Sequence, residues 1–281
     1  MKENDKGVKR LRILPPKADI VFKLLFGDER NIDILTDFLK SVLDIPEDEY
    51  ENITLTDTHL KRETIDDKLG IVDVKLTTKS GTIIHIEIQV APESELPDRI
   101  IYYNAKTLVV QLKSGDEYYN LEKVITIAIT NFNFIEGSND YHHIFEWRER
   151  TKGIRLTDIV EINTLELQKI PRVSDNTEKY NWLQFLKSEK EEEFEMLAER
   201  SPAIKKAVVE LKRLSQDEEA QMLYEAREKA LKDFNTGING TKRKIAINLI
   251  KFGDSVEKIA LVTGLTETEI VKLRTKLNRK K

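Results

Sequence analysis

The spacing of apolar residues changes character twice along the chain. From Asp19, the positions Ile20, Phe22, Leu24, Leu25 and Phe26 make a short helical run around Lys23, closed by Gly27. A second helix is predicted over 31–43, where Ile34, Leu35, Phe38, Leu39 and Val42 recur at helical spacing and Ile45-Pro46 ends the run. The period then becomes two. Ile53 and Leu55 begin a first strand. Val72, Val74 and Leu76 alternate with Ile71, Asp73, Lys75 and Thr77, and Ile84, Ile86, Ile88 and Val90 alternate with Ile83, His85, Glu87 and Gln89. Both runs are rich in β-branched residues, as strands are. A helix over 98–113 follows a loop marked by Pro92 and Pro97 and ends near Gly115. The segment 124–130 (VITIAIT) reads as a buried strand, and 141–147 and 159–167 as further strands. After Asp175 helical spacing returns to the end of the chain. The class expected is α/β with α+β character.

Composition sharpens the division into segments. The 281 residues are 40% hydrophobic and 34% charged, which supports a real core under a heavily solvated surface and excludes a disordered chain. At roughly 100–200 residues per domain the length suggests one large or two smaller domains. Net charge is −4, but it is unevenly spread. Glu189, Glu191, Glu192, Glu193, Glu195 and Glu199 crowd one helical stretch, best read as a solvated helix face. The last stretch, 241–281, carries eleven Lys and Arg against four Asp and Glu, so it is about +7. The expected organisation is a flexible basic lead-in over 1–14, a catalytic-type domain over 15–172, an acidic helical region over 173–234, a linker at Asn235, Gly237, Asn239 and Gly240, and a basic module over 241–281. There is no cysteine, so thiolate catalysis and Cys-based zinc sites are excluded. The first twelve positions are rich in charge and lack an apolar signal-peptide core, and no run is apolar enough to span a bilayer, so a soluble cytoplasmic protein is expected.

The strongest chemical signal is the pair of alternating strands. Lys79, Ser80 and Gly81 lie between them, and a three-residue loop with a last glycine is a common hairpin turn. That turn pairs positions whose numbers sum to 160, which sets Asp73 opposite Glu87. Directly opposed side chains have Cβ atoms about 4.5–5.5 Å apart. Two carboxylates so placed repel unless one is protonated or a cation lies between them. Gln89 shares their face, as does His85, while Val72, Val74, Leu76, Ile84, Ile86 and Ile88 form the core face. A half-exposed hairpin with two ordinary surface acids fits the same pattern, and a bulge would separate the acids.

Several residue groups, taken in order, are similar to the Rpn family of recombination-promoting nucleases and transposases. They are Lys17-Ala18-Asp19 with Phe22-Lys23 and Phe26-Gly27, then Val72-Asp73-Val74, Ile86-Glu87-Ile88-Gln89 and Arg99 with Tyr102-Tyr103. Gly115, Tyr118, Tyr141-His142 and the stretch 162–167 complete the set, so the resemblance spans about residues 14–170. It implies a restriction-endonuclease-like PD-(D/E)XK core, a mixed sheet flanked by helices, that hydrolyses DNA phosphodiesters with Mg²⁺ or Mn²⁺. Carried over, Asp73 and Glu87 hold the metal with the Ile88 carbonyl, and Gln89 stands where the superfamily usually has lysine. Glutamine is common there in the Rpn branch. It can orient a water or phosphate oxygen but supplies no charge, which leaves more of the work to the metal.

Other residues carry weaker signals. Asp19 resembles an acid that some PD-(D/E)XK members supply from the first helix, but it reads more readily as a helix cap, since it precedes an apolar run. Lys23, Arg99, Tyr103 and Lys106 are candidates for nucleic-acid contact, the last three along one helix face, as is usual for a solvated surface helix too. His142 and His143 are adjacent, so a strand points them apart. Trp147 and Trp182 read as packing residues. In the tail, Asp254 or Ser255 can cap one helix, and Thr266 with Glu269 another. Ala260 and Gly264 ahead of Ile270 and Leu273 resemble a helix-turn-helix, which would put Lys272, Arg274 and Lys276 on or beside a recognition helix. A helical hairpin docking on protein is the competing reading. The partner expected is DNA, with homodimerisation left open. The alternative to an endonuclease is a DNA-binding regulator that keeps the nuclease fold with little or no activity.

Overall fold

The computed structural model describes residues 12–60 and 70–278, so 1–11 of the expected lead-in lie outside the described residues, as do the cations at 279–281. By internal contacts the chain divides after Gln221 into two compact units. The first begins with α1 (Asp19–Phe26) and α2 (Ile32–Val42), then β1 (Thr54–Leu55), β2 (His59–Leu60), β3 (Gly70–Ile71), β4 (Val74–Thr77) and β5 (Ile83–Gln89). After α3 (Leu96–Val109) come β6 (Val124–Thr130), β7 (His142–Glu146) and β8 (Val160–Glu166), then α4 (Glu178–Lys187), α5 (Glu191–Arg200) and α6 (Pro202–Gln216). Six strands form one mixed sheet in the order β1-β4-β5-β6-β8-β7, with β5, β6 and β8 parallel and the outer pairings antiparallel. β2 and β3 form a separate pair. The expected mixed sheet flanked by helices is therefore present.

The β4–β5 hairpin adopts the register read from its turn. Val74 faces Ile86, Lys75 faces His85 and Leu76 faces Ile84. Thr78 N–H donates to the Thr82 carbonyl at 2.9 Å, and Gly81 takes φ +102°, a conformation that a Cβ would strain. The parallel strands are buried on both faces, which is why β6 is apolar along nearly its whole length. On one face α3 packs through Leu96 and Ile100 against Ala128, Val160 and Ile162. The helical layer is held by an aromatic cluster. Phe26 lies 5.4 Å from Phe38 and 5.8 Å from Trp182 between ring centroids, and Trp182 continues to Phe185 at 5.7 Å. Trp182 is fully buried and its indole N–H donates to Asp37 Oδ1 at 2.7 Å, so its reading as a packing residue holds. Trp147 does not pack: it is 52% exposed.

The second unit continues α7 (Glu218–Phe252) and adds α8 (Val256–Thr263) and α9 (Glu267–Asn278). The expected linker is overturned, because residues 235–240 lie inside α7. Gly237 and Gly240 each cost a helix about 1 kcal/mol relative to alanine, a penalty that a long helix with strong flanking formers absorbs. The tail helices are as expected. The Ser255 side chain caps α8, Gly264 ends it at φ +65°, and Thr266 and Glu269 bond reciprocally at the start of α9. Ala246, Ile259, Leu265 and Ile270 form a small core of their own.

A candidate active site at the open end of the hairpin

The site arises where the β4–β5 ladder ends. In an antiparallel pair, residues that exchange hydrogen bonds alternate with residues that do not, and the latter bring their Cα atoms to about 4.5 Å. Thr78 and Thr82 are a bonded pair, so Val74 and Ile86 are another. The pairing stops there: Asp73 follows in a bend just outside β4, near enough to Glu87 for its charge to bear on that carboxyl. Val72 and Ile88 would bond next, but Val72 N–H donates to the Thr58 carbonyl at 3.1 Å. The ladder therefore opens, and Ile88 N–H donates to Asp73 Oδ2 at 2.8 Å. Between Val74 and Thr77 the pairing runs without a bulge, and Asp73 lies just beyond it.

The half-exposed polar face expected from alternation is corrected by α3, which roofs it. His85 is fully buried, with Nε2 3.3 Å from the Thr107 hydroxyl, and burial beside Lys75 pushes its pKa down to about 3. It is a neutral interior residue, not a substrate contact. Glu87 is only 7% exposed, and its Oε1 has no hydrogen-bond partner among the described residues. Burial pushes the Glu87 carboxyl up to about 8, helped by the charge of Asp73 and opposed by Arg99. Burial likewise lifts Asp73 to about 6, against the Ile88 hydrogen bond that favours its charged form, with Asp19 raising and Lys23 and Arg99 lowering it.

These residues suit a hard divalent cation. They offer carboxylate oxygens, one of them unpartnered, in a place where charge is costly until something positive arrives. Among the described residues no three His, Asp or Glu side chains converge as a metal cluster. A cation here would complete its shell with main-chain oxygen and water, as Mg²⁺ usually does.

Gln89 and Arg99 form one unit. Gln89 Nε2 donates to the Ala91 carbonyl, and its Oε1 accepts from Arg99 Nη2, both at 3.2 Å. Arg99 also pairs with Glu93 at 2.7 Å and reaches Glu87 at 3.7 Å. Arg99 thus places a guanidinium from α3 beside both Gln89 and Glu87. Glu93 was not foreseen. It lies in the loop between β5 and α3, where no periodicity marks it, and the only hint was the cation six residues on.

The other candidates separate. Asp19 is not the cap of α1: Ala18 holds that position, and Asp19 is the first helical residue, close enough for its charge to raise Asp73. Lys23, a turn later, lowers Asp73. Tyr103 is not available to nucleic acid, since it is buried with Leu60 and Val72. Lys106 lies 5.7 Å from the centroid of the Tyr102 ring. The shared helix face of Arg99, Tyr103 and Lys106 is thus split between acid site, core and surface. His142 bonds Asn163 at 2.8 Å while His143 faces Glu166 at 3.6 Å, so they point apart as expected. In the second unit Lys272 and Lys276 are exposed, whereas Arg274 donates to the Asp254 carbonyl at 2.8 Å.

A mixed six-stranded sheet flanked by helices is consistent with a PD-(D/E)XK fold. The chain matches the family model described as PD-(D/E)XK nuclease family transposase over residues 16–241, and it belongs to that family. Among curated proteins and among solved structures nothing matches it. No helix among the described residues is long and apolar enough to cross a membrane.

Proposed function

We propose that the protein is a metal-dependent DNA endonuclease acting in recombination or DNA movement, with Mg²⁺ or Mn²⁺ held by Asp73, Glu87 and the Ile88 carbonyl. The observation that carries this is buried Glu87, its Oε1 left without a partner among the described residues, beside half-buried Asp73, with both carboxyls lifted above the usual carboxylate range. A bound divalent ion supplies a water acidified toward neutral pH and positive charge at the phosphate. The rest falls to the chain. The Ile88 N–H orients Asp73, and the carbonyl of the same residue faces the same side of the strand, as in any pair that exchanges both bonds. Gln89 is held between Arg99 and Ala91, where its amide can position a water or a phosphate oxygen. Arg99 brings a guanidinium fork suited to phosphate, and Lys23 a second cation from α1. Tyr103 has no part in this beyond packing. In the second unit, exposed Lys272 and Lys276 on α9 suit phosphate contact that holds the protein on DNA, with Arg274 bracing the helix pair.

Titration of Mg²⁺ against supercoiled plasmid tests the proposal. The expected result is nicking that requires metal and is lost in Asp73→Ala and in Glu87→Ala. Full metal-dependent cleavage by Asp73→Ala would sink the assignment. Tight binding with no cleavage by the unaltered protein would favour the regulator.

A further inference from the structure

Many basic side chains on the first unit are paired with acids. Lys206 pairs with Asp33, Lys212 with Glu191 and Glu195, and Arg213 with Glu210. One hollow is different. A groove of about 510 Å³ between the segment after β8 and helices α4 and α5 is lined by Lys17, Arg172, Lys187, Lys190 and Arg200. Its two acids are occupied: Glu189 pairs with Lys17 at 2.6 Å, and the Glu193 carboxylate accepts the main-chain N–H groups of Glu189 and Lys190 at 3.1 and 3.2 Å. Among the described residues, Arg172, Lys187, Lys190 and Arg200 have no acidic partner. Like charges gathered around a concavity repel one another and focus a positive potential that a polyanion relieves.

The groove also lies at the acid end of the sheet. Gln168 on its wall donates to Asn131 Oδ1 at 2.9 Å, and Asn131 N–H donates to the Gln89 carbonyl at 2.9 Å. Lys17, which also lines the groove, stands two residues before Asp19, whose charge bears on Asp73. We propose that this groove holds the phosphodiester backbone of the DNA strand to one side of the bond cut at Asp73 and Glu87, an inference that rests on the nuclease reading for its substrate. The acidic helix α5, read from sequence as a solvated face, thereby also forms a wall of a basic channel. Glu191 and Glu195 turn to Lys212 and Glu193 to the main chain, while Lys190 before the helix and Arg200 at its end stay open.

The test is the full chain carrying Arg172→Gln, Lys187→Gln and Arg200→Gln. A control with Lys79→Gln, Lys113→Gln and Lys152→Gln removes equal charge at the opposite end of the sheet. Binding of a fluorescent duplex is followed against salt in chelator, where no cleavage is needed. Each lost phosphate contact should lower the salt slope by about one, so the groove variant should lose roughly 2–3 and bind about tenfold or more weakly at moderate salt. With Mg²⁺ its KM should rise while kcat holds, and its melting point should be unchanged. Duplexes with 5′-hydroxyl and 5′-phosphate ends should lose equally. An unchanged slope, an equal loss in the control, or a loss confined to 5′-phosphorylated DNA would overturn the proposal. If the unaltered protein never cleaves but the groove variant binds weakly, the nuclease reading fails and the groove stands as a backbone site.

Discussion

Glu87→Gln is expected to make the metal-free protein more stable while removing its activity. At pH 9 the Glu87 carboxyl, lifted to about 8, is mostly ionised inside the protein, next to Asp73 and 7% exposed. The amide keeps its shape and removes both the desolvation cost and the repulsion. A gain of about 1–3 kcal/mol is reasonable for relief of one buried charge. At about 2–4 °C per kcal/mol for a unit of this size, the melting midpoint rises by roughly 2–12 °C. Cleavage should fall by more than about 100-fold, since loss of residues that only support a metal's ligands already costs 10–100-fold. A lower midpoint in Glu87→Gln would mean that Glu87 holds the fold together and is not a site held ready at the fold's expense.

The second large effect is on pH. Both acids have folded-state values above their ordinary ones, about 6 for Asp73 and about 8 for Glu87. Between pH 4 and 8 the folded protein therefore keeps protons that the unfolded chain has released. Stability must fall as pH rises through that window and level off above it. This is opposite to the usual carboxylate, which loses stability as pH falls. Buried His85, lowered to about 3, adds the opposite slope between that value and its ordinary 6.5: stability is lost as pH falls there. Melts of metal-free protein should show the decline most plainly between pH 6.5 and 8, where His85 no longer contributes. Glu87→Gln should flatten it. A midpoint that rises between pH 6.5 and 8 would contradict the pairing.

The register of the hairpin was legible because two local signals agreed: a loop ending in glycine and a period of two on either side. Both act within about twenty residues, so nothing distant could override them. The fate of the polar face was not legible. Alternation marks Lys75, His85 and Glu87 as one face but does not say that α3 will cover it. That depends on Asn104 reaching Thr126 and Thr107 reaching His85, contacts between segments about twenty residues apart. Helical spacing misled at Arg99, Tyr103 and Lys106 for the same reason. A helix face is uniform in sequence, but this one runs from the acids past the β2–β3 pair to the surface. The false linker at 235–240 is a failure of local chemistry: Asn and Gly lower helix propensity without ending a helix when the residues on both sides favour it. The Arg99–Gln89 contact joins the two ends of the loop between β5 and α3, and no local pattern in the sequence places those ends together.

Calorimetric titration of Mn²⁺ into metal-free protein, at pH 7 in buffers of different ionisation enthalpy, tests the central claim that the opposed acids are a metal site. Metal binding to a protonated ligand releases the proton. With Glu87 near 8 and Asp73 near 6, Glu87 is mainly protonated at pH 7 and Asp73 mainly ionised. The account predicts release of about one proton per bound ion, loss of that release in Glu87→Gln and loss of binding in Asp73→Ala. An unchanged isotherm in Asp73→Ala, or binding without proton release, would contradict it.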